Sequence, residues 1–262
     1  MTWKNIAITG ATGGIGQALV REWAQPGVTF FLAGRDAARL EEVREIAERA
    51  GAVAHVTNVP VTNTAAFVEA LLAFDAEHPV DLFVAGAGVK TGHTDGCELP
   101  DDLDRVLDVN LRAPLHLVQA ILPAMIARGG GQIALFSSLA ALSPHADLLS
   151  YSATKAGLRA YGVGLRQAVK GTGVGVSIVT PGYVDTPMTD RQIGPTPQKI
   201  SAESAAGIIA RGVARRTPYI TFPLTLTLLI RLKSMLPVGV RDMIDSHHRA
   251  RILPDGDEGK EP

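Results

Sequence analysis

Short apolar runs alternate along the chain with longer stretches in which apolar residues recur every three or four positions. The runs at 4–9, 28–33, 53–57, 81–85, 131–137, 174–180 and 218–222 read as strands. Between them lie helical patterns such as Ala37 to Ala50, with Leu40, Val43, Ile46 and Ala47 on one face. Strand–helix alternation predicts an α/β fold: a single doubly wound parallel sheet of about seven strands with helices on both sides. Parallel strands covered on both faces should be apolar throughout, and Ile133-Ala134-Leu135-Phe136 and Ile178-Val179 are. No repeat or linker interrupts the alternation, which points to one domain.

The pattern changes after Pro223. The stretch from Leu224 to Leu236 is greasy, and from Arg211 to Arg251 there are 8 Lys and Arg against 2 Asp. It predicts one or two amphipathic helices within 224–252, with Leu224, Leu228, Leu229, Leu232, Met235 and Leu236 inward and Arg231 and Lys233 reaching solvent. The residues from Pro254 to Pro262 are polar and expected to be disordered.

Composition narrows the function classes. With 262 residues, 46% of them hydrophobic, the chain can bury a large core. A net charge of -1 gives no case for nucleic acid. Cys97 is the only cysteine, so no intrachain disulfide is possible, which fits a reducing cytosol; a bland thiol is expected. Met1 to Asn5 runs directly into the first strand without a signal-peptide pattern. No stretch reaches the roughly 18 uninterrupted apolar residues of a spanning helix. A cytoplasmic location is expected, with 224–241 as a region that could touch a membrane surface.

Chemistry enters at the end of the first strand, which reads Thr9-Gly10-Ala11-Thr12-Gly13-Gly14-Ile15-Gly16. Glycines there let the backbone turn tightly and approach a pyrophosphate, and the following helix offers free N–H groups and a positive dipole end. This makes the sheet a Rossmann-type, dinucleotide-binding one. After the second strand comes Gly34-Arg35-Asp36. The planar fork of Arg35 suits a ribose 2′-phosphate, whereas Asp36 sits at an expected helix N-cap. NADP(H) is therefore favoured over NAD(H). No metal is expected.

The second constellation is Tyr151-Ser-Ala-Thr-Lys155, with Ser138 thirteen residues upstream. Tyr151 and Lys155 share a helix face at i and i+4. A free phenol titrates near pH 10, and a nearby ammonium should lower that value toward working pH. Ser138 lies just past the fifth strand, where its hydroxyl can hold a substrate oxygen while Tyr151 gives or takes the proton. The pairing of this phenol with a nucleotide turn points to hydride transfer on a small carbonyl or alcohol.

On these residues the chain resembles the short-chain dehydrogenase/reductase family, over about residues 4–190. The family's Thr-Gly-x-x-x-Gly-x-Gly turn falls on Thr9 to Gly16, and its Ser/Tyr/Lys triad on Ser138, Tyr151 and Lys155. Its helix asparagine, which holds a water relaying protons through the lysine, falls on Asn110. Its Pro-Gly-x-x-x-Thr segment falls on Pro181, Gly182 and Thr186, and the resemblance implies that Val184 and Thr186 contact the nicotinamide amide. Three departures stand out. The family's Asn-Asn-Ala-Gly after strand four reads Ala85-Gly86-Ala87-Gly88, which keeps the backbone turn but loses a bracing amide. Its adenine-contacting Asp is replaced by Pro60, leaving backbone or Asn58 for the adenine. Its C-terminal glycine-rich tetramer segment is replaced by the greasy stretch, so a homodimer is expected before a tetramer.

The expected organisation is a dinucleotide-binding catalytic domain at 1–222, a helical extension of that domain at 223–253, and a tail at 254–262. The segment 187–200 is the expected lid. Leu139 to Leu149 and Val89 to Cys97 are the expected pocket wall, with His93, His145 and Asp147 as polar candidates. Two other readings are a peripheral membrane reductase of a lipid-like substrate and a low-turnover cofactor-binding regulator; the intact Ser138/Tyr151/Lys155/Asn110 set argues against the latter.

Overall fold

The computed structural model describes residues 3–91, 97–246 and 251–252. His93 and the 254–262 tail lie outside them. In chain order the elements are β1 (Asn5–Thr9), α1 (Gly14–Trp23), β2 (Thr29–Ala33), α2 (Ala37–Arg49), β3 (Val53–Thr57), α3 (Thr64–Glu77) and β4 (Leu82–Ala85). Then follow α4 (Pro100–Leu107), α5 (Ala113–Ala127), β5 (Gly131–Phe136), α6 (Leu149–Ala168), β6 (Val174–Pro181), α7 (Pro187–Asp190) and β7 (Gln192–Ile193). The chain continues through α8 (Ala202–Ala214), β8 (Tyr219–Phe222), α9 (Leu224–Ser234), α10 (Val238–Ser246) and β9 (Arg251–Ile252).

Seven strands form one parallel sheet in the order β3-β2-β1-β4-β5-β6-β8. The two-residue period of a strand sends neighbours to opposite faces. Ile6 and Ile8 join Phe30, Leu32 and Val84 under α1, α2 and α8, whereas Ala7 joins Phe31, Phe83 and Leu135 under α3, α5 and α6. The chain leaves β1 in one direction toward β2 and the other toward β4. That reversal opens a crevice beyond the carboxyl ends of β1 and β4, where open α/β sheets bind ligands.

Between α4 and α5 the residues Asp108–Arg112 form a wider π-type turn, so 100–127 runs as one 28-residue helix. It is long and apolar enough to cross a membrane, but half of its most apolar window is buried in the domain. Leu117, Val118, Ile121 and Met125 supply that burial against the sheet.

The C-terminal region departs from expectation. It does form two helices, but the apolar stripe faces out: Leu224 is 74% exposed, Leu228 58%, Leu232 53% and Met235 81%. Leu229 and Leu236 are exposed as well. Leucines and isoleucine lie nearly all round this helix, so periodicity selects no face. The buried face is the one carrying Thr227, whose hydroxyl donates to the Pro223 carbonyl (2.8 Å). Lys233 is likewise drawn in rather than solvated: its ammonium donates to Ser143 Oγ (2.7 Å) and to Asp245 (2.5 Å). Arg231 does reach solvent. Nor is the extension helical to its end, because Gln192 and Ile193 pair antiparallel with Ile252 and Arg251.

Candidate active site

The floor of the crevice is backbone packed on backbone. Gly10 has φ +75°, and a Cβ there would lie 2.8 Å from the backbone of Ala87. A Cβ on Gly16 would meet the Gly10 carbonyl at 2.2 Å, and one on Gly14 would meet Thr186 Cγ2 at 2.5 Å. Only residues without side chains fit. Gly13 stands at the N-cap of α1 without a side-chain cap, so the first N–H groups of this helix face the crevice unanswered by a side chain. Thr9 supplies the brace that the alanine-glycine sequence after β4 lacks. Its hydroxyl donates to the Val84 carbonyl (3.3 Å) and accepts from the N–H groups of Gly86 (3.1 Å) and Ala87 (3.2 Å).

The resulting cleft has a volume of about 900 Å³, at the upper end for small-molecule and cofactor sites. Thr9, Gly10, Thr12, Gly14, Ile15, Gly16, Arg35, Ala87, Gly88, Tyr151, Lys155, Pro181 and Thr186 all line it. Ser138, Asn110, Gly182 and Val184 do not; Val184 is buried and its carbonyl accepts from the Thr186 hydroxyl (3.3 Å). At the mouth, Arg39 joins Arg35, a contribution that the sequence pattern did not reveal. Asp36 caps α2 by accepting from the Arg39 N–H (3.1 Å), with its carboxylate 3.6 Å from Arg39 Nε. Pro60 lines the cleft at the position of the family's adenine-contacting acid.

The phenol and ammonium stand on the first turns of α6. Glu98 caps that helix by accepting from the Ser150 N–H (3.1 Å) and hydroxyl (2.7 Å), which sets where Tyr151 projects. The Ser138 hydroxyl lies close enough to the Tyr151 phenol to favour its ionised form, and its Oγ accepts from the Ala140 N–H (3.2 Å). Lys155 is buried, donates to the Phe136 carbonyl (2.9 Å) and has its Nζ 5.7 Å from the Tyr151 ring centroid. The expected lowering of the phenol is not what this arrangement produces. Burial raises Tyr151 above its ordinary value; the nearby Ser138 hydroxyl opposes this, and Tyr183 reinforces it. Lys155 is itself pulled down to about 8 by burial.

Asn110 sits in the π-type turn, fully buried. Its Oδ1 accepts from the Val89 N–H (2.8 Å), and its Nδ2 donates to the Val89 carbonyl (2.8 Å). The side chain is therefore occupied in clamping the loop after β4. Gly88 lies between it and Lys155: a Cβ on Gly88 would be 3.4 Å from both Asn110 Oδ1 and Lys155 Nζ. His145 and Asp147 face each other at 3.5 Å, outside the lining of the cleft.

Comparison with known proteins agrees with this geometry. The family profile described as short chain dehydrogenase matches residues 4–194. An uncharacterized oxidoreductase of Myxococcus xanthus is 34% identical over 239 residues, covering 90% of this chain and 94% of that protein. The NADP-dependent 3-hydroxy acid dehydrogenase YdfG of Escherichia coli (strain K12) is 32% identical over 181 residues, 68% of this chain and 72% of its own. Among solved structures, a metagenomic short-chain oxidoreductase in complex with NADP superposes with a TM-score of 0.68 at 30% identity, covering 79% of this chain and 89% of that one.

Proposed function

The chain belongs to the short-chain dehydrogenase/reductase family and is an NAD(P)-dependent oxidoreductase acting on CH–OH or C=O groups; from that premise we propose that it reduces a small carbonyl compound with NADPH, or oxidises the corresponding secondary alcohol. The observation that carries the reading is Tyr151, with Ser138 near its phenol and Lys155 behind its ring, opening onto the glycine-floored cleft.

The cleft fits a dinucleotide on two counts: a Cβ would fill the cradle at Gly10, Gly14 and Gly16, and the uncapped N-terminus of α1 suits an anionic diphosphate. Arg35 and Arg39 would hold a 2′-phosphate at the mouth, which supports NADPH over NADH. When bound, NADPH supplies the hydride. The Ser138 hydroxyl holds the substrate oxygen, and Tyr151 gives it the proton. A phenol raised by burial is a protonated donor at neutral pH, which suits the reductive direction. Lys155 keeps positive charge beside the phenol after the proton leaves. Asn110 acts through Val89 and Gly88 as a positioning residue.

The test is NADPH oxidation, followed at saturating cofactor, against a panel of aldehydes, ketones and oxo acids, with NADH in parallel. Turnover with NADPH at a kcat/KM at least tenfold above NADH is expected. An absence of turnover across the panel with both cofactors would overturn the reading.

A further inference from the structure

The C-terminal extension has no task in the reaction above, yet it bonds to both sides of the substrate end. On the wall side, Lys233 of α9 donates to Ser143 Oγ (2.7 Å). Ser143 closes the short turn that Ser138 opens: the turn runs through Leu139–Ala141, and the Ser143 N–H donates to the Leu139 carbonyl (3.0 Å). The root of α9 meets the same wall, because a Cβ on Gly182 would lie 3.0 Å from Pro223 Cδ and 3.1 Å from Leu139 Cδ1. On the lid side, the Thr225 hydroxyl of α9 donates to Gln198 Oε1 (2.5 Å). Gln198 has a left-handed backbone (φ +56°), a conformation that persists in a residue with a side chain only where its surroundings fix it.

The lid carries this hold to the cleft. Its feet are joined, since the Asp185 N–H donates to the Ile200 carbonyl (2.8 Å) and the Ile200 N–H to the Tyr183 carbonyl (3.1 Å). Between them Pro187, Met188, Asp190 and Arg191 line the cleft. The next two residues, Gln192 and Ile193, pair with Ile252 and Arg251 of the extension, and Gln192 Oε1 also accepts from the ammonium of buried Lys90. Thr225 and Lys233 are eight residues apart on one helix, about 12 Å along its axis. A single rod therefore carries the contact to the wall and the contact to the lid.

We infer that Lys233 and Thr225 are positioning residues: α9 braces the turn after Ser138 against the lid and fixes the gap that the substrate's carbon skeleton must enter. The inference rests on the carbonyl-reductase reading, which puts the substrate oxygen at Ser138 and Tyr151 and the rest of the substrate between that turn and the lid. Neither residue lines the cleft, so both act through the segments they hold. The extension then sets substrate size, whereas the cofactor is seated on the glycine floor at the other end.

The test uses the full chain and size-matched pairs: each small aldehyde, ketone or oxo acid that the wild type reduces, beside its phenyl-substituted analogue. Lys233→Met should lower kcat/KM for the small member roughly tenfold, mainly through KM, the size of one charge-assisted bond. The bulky member should stay within about threefold or gain, and the NADPH Kd should stay within about twofold. Ser143→Ala should shift the preference equally, and the double variant should shift it no further than either single one, because both remove the same bond. Asp245→Asn, which loosens α10 but leaves the bond to Ser143, should keep the wild-type preference. Amide hydrogen exchange gives a readout without turnover: Lys233→Met should speed exchange in 139–149 and 187–200 together and leave α1 unchanged. Equal losses for small and bulky members, an unchanged preference, a weakened NADPH Kd, or an equal shift in Asp245→Asn would each overturn the inference. If Lys233→Met does not fold, Ser143→Ala and Thr225→Val decide by the same criteria. Turnover with an unshifted preference defeats the inference alone; a wild type that reduces nothing defeats the reductase reading and the inference with it.

Discussion

At the phosphate end of the cleft, backbone packs on backbone, whereas at the lid end long side chains bridge segments far apart in sequence. Gly10, Gly14 and Gly16 leave no room for a single methyl group. By contrast, Lys90 reaches Gln192 across 102 residues and Lys233 reaches Ser143 across 90. The difference separates two tasks. Backbone at closest approach makes a general seat for a dinucleotide, which any substrate can share. Side chains held by polar contacts can be exchanged without disturbing the sheet, which suits this end of the cleft to variation between substrates.

The largest effect is expected between the two ends, at the phenol. Tyr151→Phe should lower kcat by about 10²–10⁴-fold, the range for a general acid–base group, while NADPH affinity stays within a fewfold. Near-normal turnover in this variant would remove Tyr151 from the mechanism. At the phosphate end, Gly16→Ala should weaken NADPH roughly 100-fold, because its Cβ at 2.2 Å from the Gly10 carbonyl forces the turn open. Gln192→Ala, at the lid end, should leave the NADPH Kd nearly unchanged. Similar cofactor losses in both would erase the distinction between the ends.

Smaller still is the contribution of the mouth. Arg35→Ala should cost about 10–100-fold in NADPH affinity and little in NADH, the size of one charge-assisted contact to a phosphate. The measurement is a pair of cofactor titrations, and equal losses for both cofactors would refute the 2′-phosphate role. The buried lysine of α6 gives a pH test. Burial lowers Lys155 to about 8 from 10.5, so between those values the unfolded chain binds the proton more tightly than the folded one. Stability should therefore rise with pH across this window and be lower below it, by about 3 kcal/mol for this group. Lys155→Met should flatten the rise in Tm between pH 8 and 10, with the similarly lowered Lys90 accounting for what remains. The raised Tyr151 acts in the opposite sense, and only above pH 10.

How much of this was legible in the sequence differs between the same two regions. The strands, the parallel sheet, the glycine turn and the Ser138/Tyr151/Lys155 spacing were readable because each rests on short-range pattern: apolar runs, helix face-sharing at i and i+4, glycine at a strand end. The brace from Thr9, the Glu98 cap on α6 and the π-type turn at Asn110 were not, since each is a contact between distant segments or a local irregularity without its own composition signal. Lys90 gave no signal for the same reason: its neighbours Arg191 and Gln192 come to it only through the fold. The direction of the Tyr151 shift is not legible from the i and i+4 spacing, which counts the ammonium but not the burial of the phenol itself.

The clearest failure of pattern reasoning, the outward stripe of α9, offers the smallest and most diagnostic effect. Had Leu228 and Leu232 been buried, replacing each with a small residue would cost about 2–5 kcal/mol. Both are more than half exposed, so Leu228→Ser and Leu232→Ser should each change stability by no more than about 0.5 kcal/mol in the monomer. Thr227→Val is the counterpart on the buried face: it removes the hydroxyl that donates to Pro223 and should cost about 1 kcal/mol. Denaturant midpoints of the three variants decide the orientation of the helix. If the leucine variants are the more destabilised, the stripe is covered in solution, and size-exclusion chromatography of the wild type over a concentration series should then show association that Leu228→Ser weakens. If they are neutral and the protein is monomeric, α9 is held by Thr227 and Lys233, and its apolar face is not needed for folding.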